Sequence, residues 1–313
     1  MTAGAFVCPE AWASGGGMRV EYREEPCSVA LNRVKGMPFE WSLNPYMGCV
    51  HRCTFCYVRA FERRADRPSD ERYGRSIRVK TNVVEVLRRE LASKRHTPEV
   101  AIGAATDPYQ PAEGMYRLTR GCIEALGHAR APFGIITRGP MVVRDIDVLQ
   151  SAARRADVSV SVSIPTLDEA AWRTTEPGTA PPRKRLRAVR MLADAGIEVN
   201  VALAPVLPGL TDAPRQLAEV VKAARDAGAS GTWCRLLHLR PGTREHFMED
   251  LARDWPELVP RYQQLYGAAA YQGKRQEAEL KELVSSLAGR YPQREPEAGV
   301  IRPAVAEQLA LFG

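Results

Sequence analysis

Asn44-Pro-Tyr-Met-Gly-Cys-Val-His-Arg-Cys-Thr-Phe-Cys-Tyr57 gathers three cysteines, Cys49, Cys53 and Cys56, in the spacing C-x3-C-x2-C, with an aromatic residue directly after the third. Three thiolates on one short loop can reach a single metal centre. They are one short of the four that close an all-cysteine cluster or a structural zinc site. A 4Fe–4S cluster held by three cysteines keeps one iron open to a further ligand. Two other readings compete. A zinc knuckle would recruit His51 as its fourth ligand, although His51 lies inside the cysteine spacing, and a Cys53/Cys56 redox pair would leave Cys49 unexplained.

Outward from this loop, strands and helices alternate. Phe39–Leu43 reads as the strand that delivers the chain to the loop, and 82–95 as an amphipathic helix with Val83, Val86, Leu87 and Leu91 on one face. Strands at 100–105, 133–137, 158–164, 197–204 and 232–239 then alternate with helices near 119–129, 143–155, 182–195 and 212–227. Six β/α steps imply a parallel sheet, and the predicted fold is an α/β partial (β/α)6 TIM-like barrel, open where an eight-unit barrel closes. Val158, Val160 and Val162 alternate with Ser159, Ser161 and Ser163, as Val199, Val201 and Leu203 do with Asn200, Ala202 and Ala204. The branched set is expected against the outer helices and the small set in the lumen, leaving room there for a ligand; a tightly packed small-residue core is the alternative. Chemistry in such folds sits at the C-terminal ends of the strands.

Four parts are expected: an N-terminal extension over 1–40 with a short strand at 20–23, a core over 41–242, a helical flank over 243–289, and a linker with a terminal peptide over 290–313. The net charge of +7 suits a polyanionic partner such as nucleic acid. Arginines gather at 59, 63, 64, 67, 72, 75 and 78 and again at Arg183, Arg185, Arg187 and Arg190 with Lys184, the alternative being solvated helix faces. Seven cysteines, with three on one loop, argue against a secreted disulfide framework, and Cys8, Cys27, Cys122 and Cys234 read as buried thiols. With no apolar run of membrane-spanning length and no leader-like N-terminus, no membrane partner is expected and the location expected is cytoplasmic.

The cysteine loop and Tyr57 resemble those of the radical S-adenosylmethionine (SAM) superfamily. Further stretches are similar to its spore photoproduct lyase-like branch: Ala105-Thr-Asp-Pro-Tyr-Gln-Pro111, Tyr116–Gly121, Ser161–Ile164, Glu176-Pro-Gly-Thr179 and Val201–Gly209, together covering about residues 40–245. The resemblance implies that Cys49, Cys53 and Cys56 ligate a 4Fe–4S cluster whose open iron binds SAM, with an electron donor of flavodoxin or ferredoxin type. Reductive cleavage of SAM to a 5′-deoxyadenosyl radical would then abstract hydrogen from a substrate. It also implies SAM contacts at Tyr57, Thr106, Arg138, Ser163 and Ala204, with Arg138 matched to the SAM carboxylate. Asp107 and Glu176 read equally well as turn residues. The lyase's hydrogen-donating cysteine is replaced by Ala104 and Ala105, so Cys234 and Tyr109 are the candidate donors and thymine-dimer repair is in doubt.

The terminal Gln308, Leu309, Leu311 and Phe312 resemble the Q-L-x-L-F peptide that docks on the bacterial DNA sliding clamp, with a tail folded back on its own flank as the alternative. The expected function is therefore a radical SAM enzyme, with DNA as the sharper substrate hypothesis. Modification of RNA, a peptide or a small molecule, or a non-catalytic iron–sulfur protein that binds DNA, are the competing readings.

Overall fold

The computed structural model describes residues 6–7, 20–93, 99–267 and 269–291. The linker and the terminal peptide with Gln308, Leu309, Leu311 and Phe312 lie outside the described residues, as does Cys8. In chain order the elements are β1 (Phe6–Val7), β2 (Glu21–Glu25), β3 (Leu31–Arg33), β4 (Trp41–Leu43), β5 (Tyr46–Met47), α1 (Arg59–Arg64), β6 (Ser76–Lys80) and α2 (Val83–Ala92). There follow β7 (Val100–Ile102), α3 (Ala112–Tyr116), α4 (Leu118–His128), β8 (Phe133–Thr137), α5 (Ile146–Ala153), β9 (Val158–Ser163), α6 (Glu169–Thr175) and α7 (Pro182–Asp194). The last are β10 (Glu198–Val206), α8 (Pro214–Asp226), β11 (Gly231–Leu236), α9 (Thr243–Asp254), α10 (Val259–Tyr266) and α11 (Lys274–Arg290).

The main sheet has seven strands in the order β11-β10-β9-β8-β7-β4-β3. The six from β4 to β11 are parallel, and β3 is added antiparallel at the β4 edge. This is the mixed α/β, open partial barrel that the six alternating units predict. The strand expected at 20–23 forms as β2, but in a second sheet, β1-β2-β6-β5, in which β6 was not foreseen.

Periodicity accounts for the packing. Leu217, Val220, Val221 and Ala224 of α8 fall at helical spacing and are all buried, and Pro214 opens that helix where its missing N–H costs nothing. Asp168 caps α6 by accepting a 2.8 Å bond from Ala171 N. Val158, Val160, Val162, Val199, Val201 and Leu203 all join the main core with Leu149, Val189 and Leu192 of the outer helices. Burying each branched side chain is worth about 2 kcal/mol.

The three helices after β11 part company. Leu280, Val284 and Leu287 of α11 enter the main core, so α11 acts as the covering helix of β11. In contrast, Phe247, Leu251, Tyr262 and Tyr266 of α9 and α10 form a second apolar cluster with Cys53 and Phe55 of the cysteine loop. Among the described residues no helix is long and apolar enough to cross a membrane.

Candidate metal and cofactor site

The cysteine loop follows the C-terminal end of β4, and loops from the same ends of β7, β8 and β9 fasten it. Ala105 N donates to Asn44 Oδ1 at 2.8 Å, and the Thr106 hydroxyl donates to Gly48 O at 2.7 Å. Gln110 holds both sides of Cys49: its amide donates to Gly48 O at 3.1 Å, and its Oε1 accepts from Val50 N at 3.2 Å. From the loop after β9, Thr175 O accepts from Thr54 N at 2.9 Å, and Gly178 N donates to His51 O at 3.0 Å. Gly178 must be glycine, because a Cβ there would stand 2.4 Å from Val50 O. From beyond β11, the Thr243 hydroxyl donates to Cys56 O at 3.0 Å.

All three cysteine sulfurs are close enough to one another for their charges to interact. Burial pushes the Cys53 thiol up to about 12. Cys49 is held well above its ordinary value by burial first and then by Asp107. Such thiols become thiolates when a cationic centre supplies the opposing charge. His51 turns its Nδ1 to Asp107 Oδ2 at 3.3 Å. Among the described residues no three His, Cys, Asp or Glu side chains are arranged to hold one metal ion. A cubane cluster differs from a single ion in seating each thiolate on a separate iron, so its cysteines stand farther apart. The donor set of three soft sulfurs, Cys49 and Cys53 buried and Cys56 half-buried, fits such a cluster.

Asp107 is more than a turn residue. One carboxylate oxygen accepts from the Thr137 hydroxyl at 2.7 Å and Tyr109 N at 2.9 Å; the other accepts from Arg138 N at 2.6 Å. Burial opposes its charge, yet His51 and these donors hold the carboxyl down to about 2. Glu176 is likewise a buried hub. It accepts from Arg138 Nε at 2.7 Å and from Arg185 at 2.6 Å, so that burial, which would raise its pKa, is overcome by the two guanidinium groups. Arg185, wholly buried, also donates to Ser163 O at 2.9 Å and Ala180 O at 2.7 Å. Arg138 donates to Ala204 O at 2.8 Å and lies over the Phe55 ring at 5.5 Å. One ionic chain thus ties the ends of β8, β9 and β10 to the cysteine loop.

The residues matched to SAM contacts gather at this end, but several are engaged within the chain. The Thr106 hydroxyl, expected on SAM, is bonded to Gly48 O, because a buried loop carbonyl needs a donor. Arg138, expected to face a ligand carboxylate, meets the carboxylate of Glu176 instead. Ala204 contributes its carbonyl to Arg138, and Ser163 is buried. Tyr57 stays 45% exposed, its hydroxyl donating to Ala104 O, so its ring face is open at the mouth.

The two candidate hydrogen donors, Cys234 and Tyr109, are both buried. Cys234 pairs in register with Leu203 and is buried in the outer core, facing the Glu277 and Lys281 side of α11. Strand alternation puts Trp233, not Cys234, on the inner face. Tyr109 is buried in the core, its hydroxyl 3.1 Å from Asp145 Oδ2. Neither side chain is brought to the lumen.

The inner face is lined by small groups and by one indole, Trp233. Register places Ser161, Asn200 and Gly231 on one rung and Ser163, Ala202 and Trp233 on the next. Trp233 is 37% exposed there, its indole N–H 3.3 Å from Ser161 Oγ. The first group of arginines is largely used internally: Arg59 is buried, Arg67 and Arg78 pair with Glu62, Arg72 with Asp70 and Arg63 with Glu245. Arg183, Lys184, Arg187 and Arg190 remain exposed along α7, while Arg185 does not.

The functional residues that the sequence reading missed are Glu176 and Asp107 as hubs, with Arg185, Gln110 and Thr243. For Glu176 a signal existed: its acidic side chain stood ahead of a Pro-Gly turn in a stretch already matched to a family motif.

Residues 43–221 match the family model described as the Radical SAM superfamily. An uncharacterized protein of Mycobacterium tuberculosis, Rv2578c, is 39% identical over 295 residues, covering 93% of this chain and 86% of its own. A radical SAM Nalpha-GlyT isomerase of Pseudomonas phage M6 is 28% identical over 167 residues, covering 53% of this chain and 33% of its own. Among solved structures, spore photoproduct lyase complexed with dinucleoside spore photoproduct superposes with a TM-score of 0.67 at 14% identity, covering 86% of this chain and 79% of that one. A mutant of the same lyase with bound AdoMet and dinucleoside spore photoproduct gives 0.64 at 15% identity, covering 83% and 76%.

Proposed function

Because the chain belongs to the radical SAM superfamily, we propose that it is an enzyme in which Cys49, Cys53 and Cys56 hold a 4Fe–4S cluster and the barrel mouth beside them binds SAM. The observation that carries this reading is the gathering of Cys49 and Cys53, both buried, and half-buried Cys56 on one loop, fastened by neighbouring strand ends, beside a lumen lined by Ser161, Asn200 and Trp233. Held there, the cluster and SAM would supply radical chemistry able to abstract hydrogen from a substrate. The chain's own part is positional. Asp107, Gln110 and Glu176 fix the loop, Tyr57 offers an open ring face beside the cysteines, and Arg138 carries positive charge over Phe55. Loading the single electron calls for a reductant of flavodoxin or ferredoxin type.

The substrate lies in the lumen under this reading, against Trp233, Ser161 and Asn200. DNA or one of its nucleotides is favoured over RNA, a peptide or a small molecule. Its supports are the fold shared with the lyase and the exposed cations of α7. The terminal Gln308, Leu309, Leu311 and Phe312 would dock the enzyme on a sliding clamp, Leu and Phe filling an apolar pocket. A peptide of residues 301–313 is expected to bind purified clamp in calorimetry; no heat at any concentration tested would remove the clamp from the account.

Metal analysis tests the cluster directly. Anaerobic reconstitution with iron and sulfide is expected to give a brown protein with about four irons per chain. Cys53→Ala is expected to lose this metal. A colourless protein that binds one zinc instead would make the loop a structural site.

A further inference from the structure

Against the cysteine loop stands a pair that the proposed chemistry does not use. The Tyr73 hydroxyl lies 3.5 Å from Cys56 Sγ, and Tyr73 is only 2% exposed. Over its ring, at 4.6 Å, sits the guanidinium of Arg59, itself 1% exposed. Arg59 donates to Ser69 O at 2.7 Å and Asp70 O at 2.6 Å, while its Nε is buried without a hydrogen-bond partner. No carboxylate pairs with this cation among the described residues' ion pairs, and a buried unpaired charge is costly. Gly74 lets the segment press against the loop: its φ is +81°, and a Cβ would stand 2.4 Å from Cys49 O.

We propose that Tyr73 and Arg59 set the reduction potential of the cluster held by Cys56. This rests on the cluster reading above. A thiolate ligand only accepts, so the Tyr73 hydroxyl donates to it. One added electron makes the cluster more negative, and a donor hydrogen bond with a buried cation behind it stabilises the reduced form more than the oxidised one. Hydrogen bonds to the sulfurs, charge and solvent access are the levers by which a protein tunes such a cluster. The negative charge nearest this arginine comes from Cys56, with the Asp250 carboxylate acting from beyond ion-pair distance.

The test is an EPR-monitored redox titration of the reconstituted full chain without SAM, comparing wild type with Tyr73→Phe at equal iron content. The variant is expected to shift the one-electron equilibrium about tenfold toward the oxidised form, a midpoint about 59 mV more negative. Equal midpoints would overturn the proposal while leaving the cluster intact. A wild type that holds no cluster would instead overturn the reading on which it rests. If Tyr73→Phe does not load iron, pulsed ENDOR on the reduced wild type decides. A proton strongly coupled to the cluster that exchanges in deuterated water supports the hydrogen bond, and its absence overturns it.

Discussion

Glu176→Ala is expected to cost about 4 kcal/mol of stability, a drop in Tm on the order of 10 °C, in a chemical or thermal unfolding curve. The reason is the company the carboxylate keeps. Glu176 is 2% exposed between Arg138 and Arg185, and Arg185 is wholly buried. Removing the anion leaves two guanidinium groups without the carboxylate they share. Arg185 keeps its bonds to Ser163 O and Ala180 O, but those carbonyls do not neutralise it. Glu176→Gln, which keeps shape and one acceptor, is expected to be milder without restoring wild-type stability. The pH dependence has a definite sign. The two arginines hold the folded-state pKa below the unfolded one, so the stabilisation is present above the ordinary carboxylate range. It is lost as pH falls through the lowered folded-state value. An alanine variant as stable as wild type at neutral pH would show that the ionic chain does not hold the strand ends together.

Much of the barrel was legible in the chain because alternation is a local property. Val158-Ser-Val-Ser-Val-Ser163 states its own two faces, and the helices between the strands carry their apolar residues at helical spacing. Boundaries moved by a few residues; the expected helix at 143–155 became a 3-10 turn over Pro140–Asp145 followed by α5. The second sheet was hidden because β6 pairs with β2 across more than fifty residues, and nothing local in Ser76–Lys80 announces a partner.

The cysteine loop was legible because its ligands are neighbours in sequence. The network that fastens it was not, because its members are distant: Glu176 meets Arg138 from 38 positions away, and Gln110 meets Val50 from 60. The Pro-Gly after Glu176 reads locally as a turn and gives no sign of the two arginines. Thr106 was matched to a ligand because a hydroxyl at a strand end suggests one. The demand of Gly48 O for a donor only becomes visible once the loop folds over it. Cys234 shows the opposite case. A thiol on the last strand is easy to notice, while the side of the sheet it faces depends on register with β10.

Cys53→Ala is expected to abolish the radical chemistry altogether. Cys53 is the middle of the three sulfurs, 6% exposed, and packs between Phe55 and the side chains of α9 and α10. Two cysteines cannot hold three irons of the cluster, and alanine offers no replacement donor. The same substitution removes few apolar contacts, so the fold is expected to survive it and the loss is expected to be chemical. The decisive measurement is chromatography for 5′-deoxyadenosine after anaerobic reconstitution and dithionite reduction with SAM. Formation of 5′-deoxyadenosine by the wild type, and none by Cys53→Ala, is the predicted result. Intact SAM with fully loaded wild type, or equal product from both proteins, would contradict the account.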